Sequence, residues 1–258
     1  MTQKDKALAF AGMHRKGKPV VLYNIWDAGS ARVVGEAGAQ AIATGSASVA
    51  AAQGYGDGEA IPLAQVEHVV KRIVATVDLP LTLDFEGGYA QAPDQITANV
   101  SRMVEAGVIG VNFEDQIVGT SDLYPIDVQA SRVAAVRKAG NASNIPLVVN
   151  ARTDLFLKER DPSKHGGLLA QARERAAAYA AAGASSFFVP GLAGLDLISD
   201  LVASVELPVN IMMLGNTLSI ADLSAAGVAR ISFGPGPYRL AMKRLASDYL
   251  SATTQADV

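Results

Sequence analysis

Residues 105–115 read Glu105-Ala106-Gly107-Val108-Ile109-Gly110-Val111-Asn112-Phe113-Glu114-Asp115, which is a helix end, a glycine, an apolar run and two acids. A glycine between a helix and a strand fits the left-handed position that ends a helix. An apolar run of this kind is typical of a strand buried on both faces of a parallel sheet. The glycine recurs in the same setting in residues 36–39, 181–184 and 225–228. The chain is therefore expected to repeat one strand-and-helix unit.

Short runs rich in Val, Ile and Leu alternate with longer alanine-rich segments of helical spacing along the chain. The runs predict eight strands, at residues 20–26, 40–44, 81–84, 109–113, 146–150, 185–189, 209–212 and 230–233. The segments predict a helix after each strand, at residues 30–37, 63–77, 93–105, 126–138, 167–182, 195–205, 219–226 and 237–250. This pattern predicts an α/β fold, one (β/α)8 TIM barrel domain over residues 1–258. A dinucleotide-binding fold is disfavoured because no Gly-x-Gly-x-x-Gly follows the first strand.

The composition excludes several functional classes. The net charge is −3, with 18% charged residues and no run of one sign, which argues against a nucleic-acid partner. The absence of cysteine excludes disulfides and a catalytic thiol, and a cytoplasmic protein is expected. No lysine or histidine ends a predicted strand, which argues against a Schiff-base aldolase and a His-rich zinc hydrolase. No apolar stretch reaches membrane-spanning length, so no membrane partner is expected.

Three carboxylates, Asp84, Glu86 and Glu114, follow two consecutive predicted strands. Because barrel active sites form at the carboxyl ends of the strands, these acids are expected to meet at that rim. Asp84 and Glu86 alternate along the chain, so both are expected to face the barrel axis. Like charges buried together need a counter-cation, and oxygen-only ligands suit Mg²⁺. The three acids are therefore the predicted Mg²⁺ ligands, and the alternative is that they are solvated loop acids.

Other strand ends offer groups that suit an anionic substrate. Trp26 and Asp27 end the first predicted strand and are candidate substrate-binding residues. Arg152 follows the fifth strand, where its forked guanidinium either binds a carboxylate or phosphonate or pairs with Glu114 or Asp154. A small-molecule carboxylic acid is the expected partner.

The second predicted strand is followed by small residues and then by a glycine-rich loop. The backbone of Gly45 and Ala47, with the hydroxyl of Ser46, either holds an anion or forms only a turn. The loop, residues 50–59, either carries Asp57 in and out of the site or is a surface turn. Tyr55 and Asp57 are the candidate general bases in this region.

Six ordered segments make the chain resemble the isocitrate lyase and phosphoenolpyruvate mutase superfamily over nearly its whole length: residues 24–31, 44–46, 54–57, 84–89, 112–115 and 150–154. The resemblance implies a barrel that exchanges its last helix with another subunit, in a homodimer or homotetramer. It also implies a Mg²⁺ site that binds a 2-oxo acid or its enolate.

The resemblance further implies a role for each matching residue. Asp84 would be the principal metal ligand, with Glu86 and Glu114 acting directly or through water. Ser46 and the neighbouring backbone would hold the substrate carboxylate, and Arg152 would hold its far side. Asp57 matches a loop aspartate that the mutase and hydrolase members use near the reacting group.

Two departures from the superfamily pattern bear on the reaction. Residues 116–124 contain neither the Lys-Lys-Cys-Gly-His gating sequence of the isocitrate and methylisocitrate lyases nor the lysine and asparagine of the mutases, and Glu86 stands where many members have Asp. Chemistry that needs only the metal survives these losses best. The sequence therefore predicts a Mg²⁺-dependent lyase that cleaves or decarboxylates a small 2-oxo or 2-hydroxy acid, such as an oxaloacetate-like compound, through an enolate. The alternatives are a C–P mutase or hydrolase of the phosphonopyruvate or phosphoenolpyruvate type, and an oxo-acid-binding protein with little turnover.

Overall fold

A computed structural model describes residues 1–215 and 218–254. Its centre is one sheet of eight parallel strands. The strands are β1 Val20–Leu22, β2 Ile42–Ala43, β3 Leu81–Asp84, β4 Gly110–Glu114, β5 Val148–Arg152, β6 Ser186–Phe188, β7 Val209–Met212 and β8 Arg230–Ser232.

The helices surround the sheet. In each of the four units quoted from the sequence, a glycine follows the helix. The helices are α1 Gln3–Gly12, α2 Ala28–Glu36, α3 Ser46–Ala52, α4 Leu63–Thr76, α5 Pro93–Glu105, α6 Ile126–Ala142, α7 Leu155–Lys158, α8 Leu169–Ala181, α9 Leu195–Ser204, α10 Ile220–Ala225 and α11 Gly236–Thr254, with a 3-10 helix at Pro162–Leu168. The four glycines quoted from the sequence, at 38, 107, 183 and 227, all have φ between +81° and +105°. They therefore occupy the left-handed position expected at a helix end.

The sheet closes into a barrel between its first and second strands. The ladder runs β1-β8-β7-β6-β5-β4-β3-β2, so β1 and β2 are its two edges. The Ile25 N–H donates to the Ala43 carbonyl at 2.8 Å, and the Gly45 N–H donates to the Ile25 carbonyl at 3.2 Å. These bonds join the edges and confirm the predicted (β/α)8 fold.

Several element boundaries differ from the sequence expectation. The first predicted strand, 20–26, is regular only over β1, and Ile25 rejoins the sheet as an isolated bridge. The predicted helix 167–182 divides into the 3-10 helix and α8. Helix α1 was not predicted, and α3 replaces the expected turn after β2 and takes residues 50–52 from the predicted loop. Among the described residues, no helix combines the length and the apolar character needed to cross a bilayer.

Helix α1 packs its apolar side against the sheet. Phe10 is fully buried in a small cluster with residues of β1, β2 and β5. Its ring lies 5.7 Å from the guanidinium of Arg230, a buried residue of β8. His14 packs edge-on against Phe10, with ring centroids 4.8 Å apart, and its Nδ1 lies 2.9 Å from the Phe10 carbonyl.

His14 makes the stability of the protein sensitive to acid. Burial lowers the pKa of His14 to about 4, and the charge of Arg230 adds to this effect. Because the folded-state pKa is below the unfolded value, the contribution of His14 is complete above pH 6.5 and is lost as the pH falls toward 4. We expect His14→Gln to remove about 1–2 kcal/mol of the stability loss between pH 7 and pH 5, measured by urea unfolding. His68→Gln, at an exposed site on α4, is the control; equal acid sensitivity of His14→Gln and wild type would contradict this expectation.

Helix α11 carries a row of exposed apolar side chains. Leu240, Leu245, Tyr249 and Leu250 are 60–66% exposed, and Pro237 is the residue of α11 that is buried. Apolar side chains at this spacing on a long helix are normally covered by another surface. The structure of the single chain does not show the predicted exchange of this helix between subunits.

Candidate active site

A cavity of about 190 Å³ opens at the carboxyl end of the barrel. Its lining includes Ser46, Ala47, Asp57, Asp84 and Arg152, which the sequence predicted as site residues. Glu86 and Glu114 lie beside it, behind Asp84 and Arg152, and are almost completely buried. A larger open groove of about 410 Å³ lies along α1 and has no acid in its lining, so it offers less chemistry.

Asp84, the last residue of β3, is held by hydrogen bonds on both carboxylate oxygens. The backbone N–H and the hydroxyl of Ser46 donate to its Oδ2, each at 3.0 Å. The side-chain amide of Asn112, on β4, donates to Oδ1 at 3.3 Å. Three donors fix the direction of the carboxylate. Asp84 is therefore a preorganised carboxylate at the cavity wall.

Glu86 reaches the site through a turn and not through strand alternation. β3 ends at Asp84, and Glu86 has φ +49°, a left-handed conformation that is unusual for a residue with a side chain. Its carboxylate accepts the N–H of Gly58 at 3.2 Å and the N–H of Glu59 at 2.6 Å. Burial, together with the charges of Asp84 and Asp57, raises the pKa of Glu86 to about 8.

The loop that carries Asp57 is attached to the loop after β3. The Glu59 carboxylate accepts the N–H of Tyr89 at 2.7 Å, while the Glu59 N–H binds Glu86. Glu59 and Tyr89, like Glu86, have positive φ values, both +57°. Left-handed conformations at residues with side chains cost about 1–3 kcal/mol each and are retained where surrounding contacts enforce them.

Glu114 and Arg152 end neighbouring strands and form a buried ion pair. The Nη1 of Arg152 lies 2.9 Å from the Glu114 carboxylate, and its Nη2 and Nε donate to Asp154, Nη2 at 2.9 Å. Burial raises the pKa of Glu114 well above its usual value, with Arg152 opposing and Asp154 reinforcing the shift. Burial alone would lower the pKa of Arg152, but the Glu114 and Asp154 carboxylates raise it instead. The rim ion pair that the sequence left as an alternative for Arg152 is thus present.

The small residues after β2 serve Asp84 and the barrel seam. The N–H of Gly45 closes the barrel to Ile25, and the N–H of Ser46, the first residue of α3, binds Asp84. Asp57 is exposed, with its carboxylate 3.5 Å from the Ser46 hydroxyl. An anion held here would meet Ser46 and the Ala47 backbone in the presence of two carboxylates.

Three other predicted site residues lie outside the cavity lining. Trp26 packs edge-on against Tyr238, with ring centroids 5.2 Å apart. Asp27 caps the N-terminus of α2 by accepting the N–H and the hydroxyl of Ser30, both at 2.7 Å. Tyr55 accepts a hydrogen bond from Gln65 at 2.9 Å on the loop above the site. Their predicted roles in binding and catalysis stay predictions.

The donor set suits a hard divalent cation, although the described residues contain no ready-made cluster of three or more acidic, His or Cys ligands. Asp57 and Asp84 lie close enough to Glu86 for their charges to raise its pKa, and Glu114 is paired with Arg152. The site thus has more carboxylates than positively charged side chains, and its ligand atoms are oxygens. Such a site fits Mg²⁺, which proteins usually bind through one or two carboxylates while the ion keeps several water ligands.

Asn112, on β4, is a residue of the site for which no role was predicted from the sequence. Its Oδ1 accepts from the side chains of Asn150 and Arg230, each at 2.9 Å, so that its N–H must face Asp84. The signal was available, because Asn112 and Glu114 alternate along β4 and therefore share the inward face.

Several known proteins are similar to this chain in sequence and fold. The model of the family described as phosphoenolpyruvate phosphomutase matches residues 10–252. The 2-methylisocitrate lyase of Escherichia coli K12 is 30% identical over 265 residues, covering 99% of this chain and 86% of the lyase. The crystal structure of a putative phosphonomutase from Burkholderia cenocepacia J2315 is 45% identical, covers 97% of this chain and 100% of that chain, and superposes with a TM-score of 0.95. The phosphonopyruvate hydrolase crystallised with oxalate and Mg²⁺ shares the fold, with a TM-score of 0.86 and coverage of 97% and 88%, at 20% identity.

Proposed function

The chain belongs to the phosphoenolpyruvate phosphomutase family, and from this membership we propose that it is a Mg²⁺-dependent lyase acting on a small 2-oxo or 2-hydroxy carboxylic acid. The reaction is cleavage of a C–C bond, or decarboxylation, next to the carbonyl carbon, through an enolate. The observation that carries this proposal is Asp84, an anchored carboxylate in the wall of a small cavity that also exposes Arg152.

The side chains around Asp84 support a site for Mg²⁺. Asp84 would hold the ion, with Glu86 and Glu114 directly or through water. When bound, the ion would polarise the substrate carbonyl and stabilise the negative charge that develops beside it. Ser46 and Asn112 hold the Asp84 carboxylate in place before anything binds, so little reorganisation is needed.

The remaining residues bind, orient and shield the substrate. Arg152 keeps one N–H on each Nη atom that is not used by Glu114 or Asp154, and the residue lines a cavity that suits a carboxylate. Asp57, on the loop attached to Glu86 through Gly58 and Glu59, is placed to accept a proton at its carboxylate from a hydroxyl of the substrate.

Decarboxylation fits this chain better than reactions that require a protein acid. The chain has no cysteine, and residues 116–124 contain no lysine or histidine that would protonate a leaving group. Departure of CO₂ from an oxaloacetate-like acid needs no such proton at the moment of bond cleavage. The second candidate, phosphonopyruvate-type C–P chemistry, is favoured by the 45% identity to the putative phosphonomutase.

Pyruvate release with and without Mg²⁺ tests the proposal on oxaloacetate, 2-methylisocitrate and phosphonopyruvate. We expect Mg²⁺-dependent release from oxaloacetate at a rate that is proportional to enzyme concentration and abolished by EDTA. Release from the phosphonate alone would favour the second candidate. Tight binding of all three acids without release would instead indicate an oxo-acid-binding protein.

We also propose that a second copy of this chain covers α11, in a homodimer or homotetramer. The exposed leucines of α11 and the family membership support this assembly. We expect sedimentation to find a dimer or tetramer, and the Leu245→Asp/Leu250→Asp variant to shift toward monomer, while the control Ser247→Asp on the same helix does not. A monomeric wild-type protein would contradict the proposal.

A further inference from the structure

Two arginines line the cavity, and they differ in how much of their charge is already used. Arg152 donates to Asp154 from two nitrogens and to Glu114 from a third. Two carboxylates therefore offset its single positive charge. Arg239 lies in the first turns of α11 and lines the same cavity. Among the residues that the structure describes, its side chain has no hydrogen-bond or ion-pair partner.

The backbone of Arg239 is nevertheless held firmly at the rim. The N–H groups of Phe233 and Gly234 both donate to the Asn24 side chain at 2.9 Å. These bonds connect the segment after β8 to the segment after β1. The Arg239 N–H donates to the Pro235 carbonyl at 3.0 Å. Gly234 has φ +52°, and a Cβ at this position would lie 2.5 Å from the Met212 sulfur, so the turn requires glycine.

The neighbouring residue adds a second anchor. Tyr238 packs edge-on against Trp26, with ring centroids 5.2 Å apart. The start of α11 is thus fixed by contacts to the segment after β1, although the rest of the helix projects into solvent. An anchored backbone with an exposed guanidinium is well suited to close on a ligand in the cavity.

The charges in the cavity indicate what Arg239 would contact. The proximal carboxylate and the oxo group of the substrate belong near Asp84, Ser46 and the metal, on the β2 and β3 side. Arg239 stands at the end of β8, so it faces the part of the ligand away from these groups. A substrate with one carboxylate would leave this cation without an anionic partner.

We propose that Arg239 binds the distal anionic group of the substrate, so that the site selects 2-oxo acids with a second carboxylate or a phosphonate over those with an uncharged tail. The inference rests on the proposed function, and it names the substrate class. A guanidinium can hold either anion with two parallel, charge-assisted hydrogen bonds.

The test compares two ligands that differ in the distal charge. Sulfopyruvate carries a distal sulfonate that does not leave as CO₂, and pyruvate carries none. We expect Arg239→Gln to weaken Mg²⁺-dependent sulfopyruvate binding, measured by calorimetry, by about 10–100-fold, and to leave pyruvate binding within about twofold. Arg239→Lys should recover part of the loss. Lys243→Gln, an exposed change one turn further along α11, is the control and should bind both ligands as wild type does.

The outcomes separate this inference from the proposed function. Unchanged sulfopyruvate binding by Arg239→Gln, or equal loss for both ligands, overturns the inference whether or not the enzyme turns over. A selective loss for sulfopyruvate supports it even if no C–C lyase activity is found. Displacement of sulfopyruvate by oxaloacetate or by phosphonopyruvate distinguishes a distal carboxylate from a phosphonate. Preference for either supports the inference, and displacement by neither overturns it.

Discussion

Replacing Asp84 with asparagine is expected to reduce kcat by roughly 10³-fold or more, because the variant keeps the shape of the side chain and loses the charge that would face the proposed metal. The fold should persist, since Asp84 raises the pKa of both Glu86 and Glu114 and its neutralisation relieves that repulsion. Ligands that bind only the folded state raise its stability. We therefore expect Mg²⁺ to raise the melting temperature of wild type and to have no such effect on the variant.

A graded control accompanies this change. Ser46→Ala removes one of the three donors to Asp84 and keeps the carboxylate. Loss of a residue that orients a metal ligand typically costs about 10–100-fold in metal affinity or activity. The order wild type, Ser46→Ala, Asp84→Asn is therefore expected for both turnover and Mg²⁺ affinity. Unchanged turnover and Mg²⁺ affinity in Asp84→Asn would refute the metal site.

Removing Arg175 is expected to have the largest effect on stability. Arg175, on α8, donates to the completely buried Asp115 at 2.9 Å, and the Tyr179 hydroxyl donates to the same oxygen at 2.8 Å. Breaking a buried pair by removing one partner costs about 3–5 kcal/mol, because the other charge stays buried without compensation. Burial already raises the pKa of Asp115 against the effect of Arg175. Urea unfolding of Arg175→Met should show the loss.

Two further variants check the cause of that loss. The double variant Asp115→Asn/Arg175→Met removes both charges and should recover more than half of the stability. Arg173 lies on the same helix and forms an exposed ion pair with Asp200, in which the two side chains are 37% and 54% exposed. Arg173→Met should therefore lower the free energy of unfolding by less than about 1 kcal/mol. Equal effects of the two single variants would show that the buried pair does not contribute as described.

The same pair supports the active site from behind. The other oxygen of Asp115 accepts the N–H of Asp154 at 3.0 Å, and Asp154 holds Arg152. We therefore attribute the placement of Arg152 to a chain of buried contacts that begins on α8. No local sequence pattern reveals such a chain, because its bonds from Asp115 reach residues 39 and 60 positions away.

The sequence predicted the strands well because each is a short apolar run bounded by a glycine or a polar end. It located Asp84, Glu114 and Arg152 because a barrel places strand ends at one rim. It did not predict α1, whose few buried residues are spaced among charged ones, or α3, whose alanine and serine residues fit a turn as well as a helix.

Side-chain partners were harder to predict than positions. Strand alternation was expected to direct Glu86 toward the barrel axis, but β3 ends at Asp84. The positive φ that turns Glu86 inward depends instead on its bonds to Gly58 and Glu59. Asp27 was expected at the end of the first strand, yet β1 ends at Leu22 and the Asp27 carboxylate caps α2. In each case a contact in the folded structure, and not the local strand pattern, determines the direction of the side chain.

The interior of the barrel has a consequence for attempts to change its specificity. The hydroxyl of Ser186 on β6 donates to Asn150 at 2.6 Å, Asn150 donates to Asn112 at 2.9 Å, and Asn112 donates to Asp84. Rotating one amide would force the next to rotate, because each has its donor and acceptor sides already committed. A substitution at Ser186, three strands away from Asp84, is therefore also expected to change the orientation of the Asp84 carboxylate.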